Sequence, residues 1–125
     1  MSVVHPGAAI LHVSLRDLSP EAILNCDNVV DDIDHVCRAQ TSVHLAEQLT
    51  GNRNFIRGAL AGVLSGRISA RSDTGSVVIF SPFGLGILDL AVGKLVKDLG
   101  LEQGRGTIID SFLPESWVED GKSHI

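Results

Sequence analysis

The stretch that decides the fold is residues 77–95, VVIFSPFGLGILDLAVGKL, where an apolar run passes through a glycine-containing turn into a long apolar periodic segment. A strand buried on both faces of a parallel sheet reads as a continuous apolar run rather than as an alternation of apolar and polar residues. A helix that follows such a strand directly is typical of βαβ units. The stretch therefore predicts an α/β fold.

The turn in this stretch resembles the dinucleotide-binding fingerprint G-x-G-x-x-G only in part. Gly84 and Gly86 occupy the first two glycine positions, but Asp89 stands at the third. The third glycine permits close helix–strand packing, and a carboxylate there would lie near a bound pyrophosphate. We therefore predict that this turn holds no pyrophosphate, and that Pro82 and the glycines shape the turn while Asp89 favours the positive end of the helix.

Further strands and helices are predicted on both sides of this stretch. The predicted strands are 8–15, 28–30, 77–80 and 107–109, and the predicted helices are a short one from 19, 31–49, 55–64 and 84–99. The first strand is nearly all apolar and is expected to be central, and the helix 84–99 is expected to be largely enclosed. Ligands of parallel sheets bind at the carboxyl ends of the strands, which here carry the loops 16–21 and 81–86.

Composition and charge exclude several classes of function. The 125 residues suffice for one small domain, and the formal charge of −5 with scattered Lys and Arg argues against nucleic acid or an anionic membrane as a partner. No signal segment and no apolar run of about 18 residues is present, which predicts a soluble, cytoplasmic chain. Cys26 and Cys37 form no C-x-x-C pair and are interpreted as reduced, mostly buried thiols.

An acidic run, VDDIDH, is a candidate metal site because Asp and His are common metal ligands. His44 lies nine residues after His35, which is not the i, i+4 spacing of a helical ligand pair. Acidic residues at a helix start are favoured by the helix dipole. The three acids Asp31, Asp32 and Asp34 are therefore interpreted as a helix cap, and no metal site is predicted.

Two polar residues lie in the first predicted strand. His12 stands among apolar neighbours and is interpreted as a hydrogen-bonded core residue rather than a catalyst. Ser14 lacks the G-x-S-x-G surroundings of a nucleophile elbow, so hydrolysis through a serine nucleophile is not expected.

Asp17 is the strongest catalytic candidate, because it follows this strand at the edge where α/β sites lie. A carboxylate there can move protons when partial burial raises its pKa, and the neighbouring Arg16 can hold an anion or steady the aspartate's charge. An equally good interpretation from spacing alone is that Asp17 caps the turn in LRDLSP. Both interpretations stay open at this point.

Three blocks resemble, in order, the C-terminal portion of the ornithine cyclodeaminase/mu-crystallin family. They are HVSLRDLSPEAI (12–23), NVVDDIDHVCRAQTSVHLAEQLTGNRNFI (28–56) and VIFSPFGLGILDLAVGKLVKDL (78–99). The resemblance extends over about residues 5–113. It is greatest to the family's N-(2-amino-2-carboxyethyl)-L-glutamate dehydrogenase branch of 2,3-diaminopropionate biosynthesis.

The resemblance implies a Rossmann domain that binds NAD and a second domain, built from both chain ends, that holds substrate and forms a homodimer. The fold expected for this chain is thus α/β, the C-terminal part of a Rossmann-like parallel sheet with flanking helices. Residues 1–100 would be the second half of the NAD-binding domain, and 101–125 would return to the substrate and dimerisation domain. The G-x-G-x-x-G fingerprint would lie upstream of Met1, in an N-terminal half that another polypeptide could supply.

The resemblance also assigns roles to individual residues. Asp17 falls on the family's acid/base aspartate. The positions that would contact cofactor are Ser14, Leu15, Arg16 and Pro82, and the position that would contact substrate is Phe83.

Departures from the family pattern favour the dehydrogenase branch. Ornithine cyclodeaminases have small glycines before the aspartate and a lysine four residues after it, where this chain has Leu15, Arg16 and Glu21. The implied reaction is NAD-dependent oxidation of the secondary amine that joins a glutamate backbone to a 2,3-diaminopropionate unit, followed by hydrolysis of the imine. A non-catalytic, mu-crystallin-like binding or structural protein is the alternative, as is an ornithine cyclodeaminase-like enzyme.

A first prediction is that this chain alone binds NAD weakly or not at all. Asp89 replaces the third glycine, and the sequence offers no other cradle for a pyrophosphate. Calorimetric titration of the purified chain with NAD measures this directly, and tight binding would contradict the prediction.

Overall fold

The computed structural model describes residues 4–109 and residue 112. The chain divides into two compact units, Met1–Gly86 and Ile87–Ile125. Each unit is described by itself below.

The first unit is built on a four-stranded parallel sheet with the strand order β1-β4-β2-β3. Its elements are β1 (Ala9–Leu11), α1 (Pro20–Leu24), β2 (Asp27–Val30), α2 (Ile33–Val36), α3 (Ser42–Thr50), β3 (Ile56–Ala59), α4 (Leu60–Leu64) and β4 (Val78–Ser81). This arrangement confirms the predicted α/β class with a parallel sheet and flanking helices.

Strand β4 occupies the middle of this sheet and pairs with two strands that come earlier in the chain. Val78 lies opposite Ala9 of β1 and Asp27 of β2, and Ile79 lies opposite Ile10 and Asn28. Because the strands are parallel, their carboxyl ends meet at one edge of the sheet.

The core lies between this sheet and the helices α1 and α3, which pack against each other. Ile79 of β4 and Ile23 of α1 are fully buried, and so is Val43 of α3. These apolar faces supply the main favourable free energy of folding, since burying one such side chain contributes about 1.5–3 kcal/mol.

Short polar side chains cap the N-termini of three helices. The hydroxyl of Ser19 accepts a hydrogen bond from the Ala22 amide, with Pro20 in the first turn, and Thr41 caps α3 in the same way. The carboxylate of Asp32 accepts from the His35 amide at 2.8 Å. The capping interpretation of the acidic run is therefore confirmed for Asp32.

The single helix predicted over 31–49 is wrong. Ala39 and Gln40 both have a φ of 53°, the left-handed region that interrupts a helix. The chain therefore forms α2, a turn and α3, with Thr41 as a second helix start.

The helix predicted over 55–64 is wrong in its first half, which is strand β3. Pairing with β2 outweighs the local helical pattern, as tertiary context often does for short apolar segments. Gly58 has a φ of 153°, and a Cβ there would lie 2.5 Å from Cδ1 of Ile68, so a glycine fits this position. The helix that follows is α4, and Gly66 just after it has a φ of 71°, the left-handed conformation in which helices commonly end.

Strand β1 is shorter than the predicted strand 8–15 and lies at the edge of the described sheet rather than at its centre. Among the described strands β1 pairs with β4 alone, and the side chain of Leu11 in β1 is 71% exposed. An apolar run by itself does not distinguish a central strand from an edge strand, which is why this prediction is wrong.

The second unit contains α5 (Gly86–Glu102), which begins two residues later than predicted and continues to Glu102. The sequence predicted that this helix is largely enclosed, because apolar residues surround it. In the structure the large apolar side chains of α5, such as Leu90, are exposed. One helix cannot bury all sides of itself, so this prediction is wrong for the described residues. Residues 107–109 form no strand in the described structure, which corrects that prediction too.

The described helices lack the combination of length and hydropathy required to cross a membrane. The predicted domain division at 1–100 and 101–125 stays a prediction, since most of 101–125 lies outside the described residues.

A second prediction concerns Asn28, whose side chain is buried with 1% exposure at the start of β2. Its Nδ2 donates to the carbonyl oxygens of Ile23 at 2.7 Å and Cys26 at 2.8 Å. Asn28→Asp places a carboxylate against these oxygens and removes both donors, so we expect the free energy of unfolding to fall by about 1–3 kcal/mol or more.

Urea unfolding measures this loss, and Asn25→Asp is the matched control. Asn25 donates to the Glu21 carbonyl from an exposed position, so its replacement should cost much less. Equal losses in the two variants would contradict the prediction.

Candidate functional site

A cleft of about 230 Å³ opens at the carboxyl ends of β1 and β4. The segment after β1 forms one wall, the segment after β4 forms another, and residues of α2 and α3 close it. Its lining consists of His12, Val13, Ser14, Leu15, Val36, Thr41, Val43, Ser81, Pro82 and Phe83. This is the edge at which parallel sheets bind ligands.

Four of the six predicted site residues meet in this cleft. Ser14 and Leu15 lie on one wall, and Pro82 and Phe83 lie on the other. Arg16 and Asp17 come directly after Leu15 in the chain. Their side chains are exposed and do not line the cleft. The roles of these residues stay predictions.

The two walls are joined by His12 and Ser81, both about 95% buried. Nδ1 of His12 lies 3.1 Å from Oγ of Ser81, a hydrogen bond between residues 69 positions apart in the chain. The interpretation of His12 as a hydrogen-bonded core residue is thus confirmed. Ser81 was not singled out from the sequence, although a serine at the end of the apolar run VVIFS is a signal for a buried polar contact.

Burial lowers the pKa of His12, and the negative charge of Asp17 acts in the opposite direction. Its Nε2 is buried without a hydrogen-bond partner among the described residues. Protonation would add a charge to this enclosed position, so the imidazole is expected to be neutral at neutral pH.

The start of α3 anchors the wall that follows β1. The Ser42 amide donates to the Leu15 carbonyl at 3.0 Å. Thr41 is buried beside it, where its hydroxyl donates to the Val36 carbonyl and accepts from the His44 amide. No local sequence pattern predicts this contact, because it joins segments that only the fold brings together.

The turn after β4 has the conformation that its glycines suggest. Gly84 has a φ of 99°, and no atom outside its chain neighbours lies within 4 Å of a Cβ built there. The capping role considered for Asp17 is filled at α1 by Ser19. Within residues 4–109 and 112, no three His, Cys, Asp or Glu side chains are grouped so as to hold a metal ion.

The cleft is small and of mixed polarity. Sites for drug-sized ligands measure about 300–1,000 Å³, which is more than the volume of this cleft. Its lining combines apolar side chains with the hydroxyls of Ser14, Thr41 and Ser81.

A third prediction is that acidification destabilises the first unit through His12. Its pKa is lowered in the folded state, so the unfolded state binds more protons once the pH falls through about 6.5. The stabilisation is complete above that pH and is lost towards the lower folded pKa. Urea unfolding at about pH 7.5 and 5.5 should show a fall in the free energy of unfolding.

His12→Gln should reduce this pH dependence because it removes the titrating ring. His5→Gln, at an exposed histidine, is the control and should leave the dependence as in the unaltered chain. A pH dependence that survives unchanged in His12→Gln would contradict the assignment.

Two curated proteins, a dehydrogenase and a reductase, are similar to this chain in sequence. N-((2S)-2-amino-2-carboxyethyl)-L-glutamate dehydrogenase of Staphylococcus aureus is 23% identical over 108 residues, which are 85% of this chain and 32% of the relative. Delta(1)-pyrroline-2-carboxylate reductase of Bacillus cereus is 29% identical over 100 residues, 78% of this chain and 30% of the relative. No family model matches the chain.

The fold is found in solved structures as well. Delta(1)-pyrroline-2-carboxylate reductase of Thermococcus litoralis, in complex with NADH and L-proline, superposes with a TM-score of 0.76 at 24% identity. The match covers 85% of this chain and 35% of that structure. The chain therefore spans about a third of the length of the proteins it matches. The resemblance inferred from the three sequence blocks is confirmed by these relatives, which include an N-((2S)-2-amino-2-carboxyethyl)-L-glutamate dehydrogenase. A probable ornithine cyclodeaminase of Bordetella pertussis shares the fold with a TM-score of 0.65 at 24% identity, over 86% of this chain and 36% of that structure.

Proposed function

We propose that this chain forms the nicotinamide and substrate end of an NAD-dependent amino-acid dehydrogenase. The observation that carries the proposal is the cleft where the segments after β1 and β4 meet, with Asp17 two residues beyond its wall. The similarity to a dehydrogenase and a reductase whose names refer to amino-acid derivatives supports the same class of reaction. Because the chain spans about a third of those relatives, the activity is proposed for the complete enzyme, as a homodimer or with a separately supplied N-terminal half.

The lining of the cleft suits the nicotinamide ring. Bound NAD would supply the acceptor for a hydride from the substrate carbon. Leu15 and Pro82, from the two walls, would pack against the ring and exclude water, and Ser14 would offer a hydroxyl beside Leu15. Phe83, on the same wall as Pro82, would contact the substrate.

Asp17 would accept and donate protons during the reaction. Oxidation of a secondary amine to an imine releases a proton from nitrogen as the hydride leaves carbon, and an adjacent carboxylate can accept that proton. Asp17 would release this proton to solvent before hydrolysis begins. Water would then add to the imine carbon, and Asp17 would carry the two protons of the water in turn to the departing nitrogen. The sum is a carbonyl compound, a primary amine, reduced cofactor and one proton.

The substrate proposed is an amine built from glutamate and 2,3-diaminopropionate. The Staphylococcus aureus relative supports it through its name. The guanidinium of Arg16 is exposed beside Asp17, at the position assigned to the cofactor, where a cation can hold an anionic group. Ornithine cyclisation is disfavoured, because ornithine cyclodeaminases have glycines and a lysine where this chain has Leu15, Arg16 and Glu21.

A second candidate is reduction of a cyclic imino acid, which the similarity to Delta(1)-pyrroline-2-carboxylate reductase favours. The two candidates share hydride transfer between nicotinamide and a carbon bonded to nitrogen, and they differ in whether water attacks the imine. Assays of the complete enzyme with the two substrate classes separate them. Activity with neither class would favour a non-catalytic binding protein.

A fourth prediction tests Asp17 in the complete enzyme. Asp17→Asn keeps the shape of the side chain and removes the titrating carboxylate, so kcat should fall about 10²–10⁴-fold while the dissociation constant of NADH barely changes. Steady-state kinetics and fluorescence titration measure the two quantities.

Asp34→Asn is the control for losing one negative charge. Asp34 belongs to α2, is exposed and forms an ion pair with Arg53. It does not line the cleft, so its replacement should leave turnover close to normal. If Asp17→Asn also kept near-normal turnover, the aspartate would be a residue of the turn and the proposed site would be wrong.

A further inference from the structure

Asp31 connects the end of β2 to the loop after β4. Its Oδ2 accepts hydrogen bonds from the Phe83 amide at 2.9 Å and from the Gly84 amide at 2.7 Å. Its Oδ1 accepts from the Asp32 amide at 2.8 Å. One carboxylate thus binds three backbone N–H groups from two segments that lie more than 50 positions apart in the chain.

The loop that Asp31 binds has left the sheet. Strand β4 ends at Ser81, so the amides of Phe83 and Gly84 no longer take part in strand pairing. Gly84 has a φ of 99°, a conformation that favours glycine, and both amides point to the same oxygen. A carboxylate is a stronger acceptor than the water that would otherwise bind these groups.

The same loop supplies a wall of the cleft, where Pro82 and Phe83 line the space opposite Leu15. A second contact comes from the segment that Asp31 begins, since the His35 ring lies 6.5 Å from the Phe83 ring, tilted by 41°. The hydrogen bond between Ser81 and His12 fixes the start of the loop. Asp31 supplies the corresponding fixed point at its far end.

We propose that Asp31 is a positioning residue that holds the backbone of Phe83 and Gly84 and thereby sets the shape of the cleft. Its two oxygens are occupied by backbone amides, so it acts on the cleft through the loop and takes no part in proton transfer. This inference rests on the proposed function, because it assigns the loop a task in binding the substrate and the nicotinamide ring.

The neighbouring Asp32 offers a matched control. It has the same chemistry and a similar partial exposure, but its carboxylate caps α2 through the His35 amide. Replacing it by alanine removes this cap and the contact of its carboxylate with the His35 ring, while the hydrogen bonds between Asp31 and the loop stay in place. Loss of stability in general is thereby separated from loss of the loop contact.

The contact itself is tested by hydrogen exchange measured by NMR on this chain. In Asp31→Ala the amides of Phe83 and Gly84 should exchange about tenfold faster than in the unaltered chain. Asp31→Asn should give an intermediate rate, because its amide oxygen can still accept from the loop while its NH₂ group faces the Asp32 amide. Asp32→Ala should leave both rates unchanged. If a folded Asp31→Ala or Asp31→Asn variant showed no change at the two amides, the proposal would be overturned.

The role in binding is tested in the complete enzyme. Asp31→Ala should raise the KM for substrate and the dissociation constant of NADH about tenfold, with kcat changed less than about threefold, since a misplaced wall weakens binding in the ground state and the transition state alike. Asp31→Asn should restore most of this loss, and Asp32→Ala should show none of it. Faster exchange at the two amides with unchanged KM and NADH affinity would refute the positioning role.

Failure of the proposed function would give a different result. An unaltered complete enzyme without dehydrogenase or reductase activity would refute that function, and the exchange rates would still decide whether Asp31 holds the loop.

Discussion

The pairing of β4 with both β1 and β2 is the constraint on which the first unit depends. Val78 lies opposite Ala9 on one side and Asp27 on the other, so the last strand of the sheet enters between two earlier ones. This places the end of β4 beside the end of β1, where the cleft opens, and beside the end of β2, where Asp31 lies. The strand order thus assembles every group to which the proposed site assigns a task.

Each carboxylate at this edge of the sheet binds a different partner. Asp31 binds the loop after β4, Asp32 caps α2, and Asp34 pairs with Arg53 at 2.7 Å. Arg53 also pairs with Glu47 of α3, which lowers the pKa of that carboxyl. The acidic run that suggests either a metal site or a cap in the sequence therefore has three separate partners, and its carboxylates point to different places.

The cleft is small, and hydrogen bonds fix its walls, some between lining residues and some from residues outside the lining. The bond between His12 and Ser81 joins the walls, the Ser42 amide holds the Leu15 carbonyl, and Asp31 holds the Phe83 amide. Groups fixed in this way can present a constant surface to a flat ring, which is the requirement for aligning a hydride donor with its acceptor. The proposed dehydrogenase chemistry is consistent with this arrangement.

The sequence by itself determined the α/β class, the position of β4, the helix start at Ser19-Pro20 and the burial of His12, because these depend on periodicity and on neighbours in the chain. The partner of His12, Ser81, lies 69 positions away and was decided by the fold. The fold brings Ser14 and Phe83, which the family resemblance assigned to the site, to one cleft, while their roles stay predictions. Only the tertiary structure decided that residues 56–59 form a strand and that Asp31 binds a loop 52 positions away. Strand pairing and such hydrogen bonds are set by the distant segment that supplies the partner, and no local pattern encodes which segment that will be.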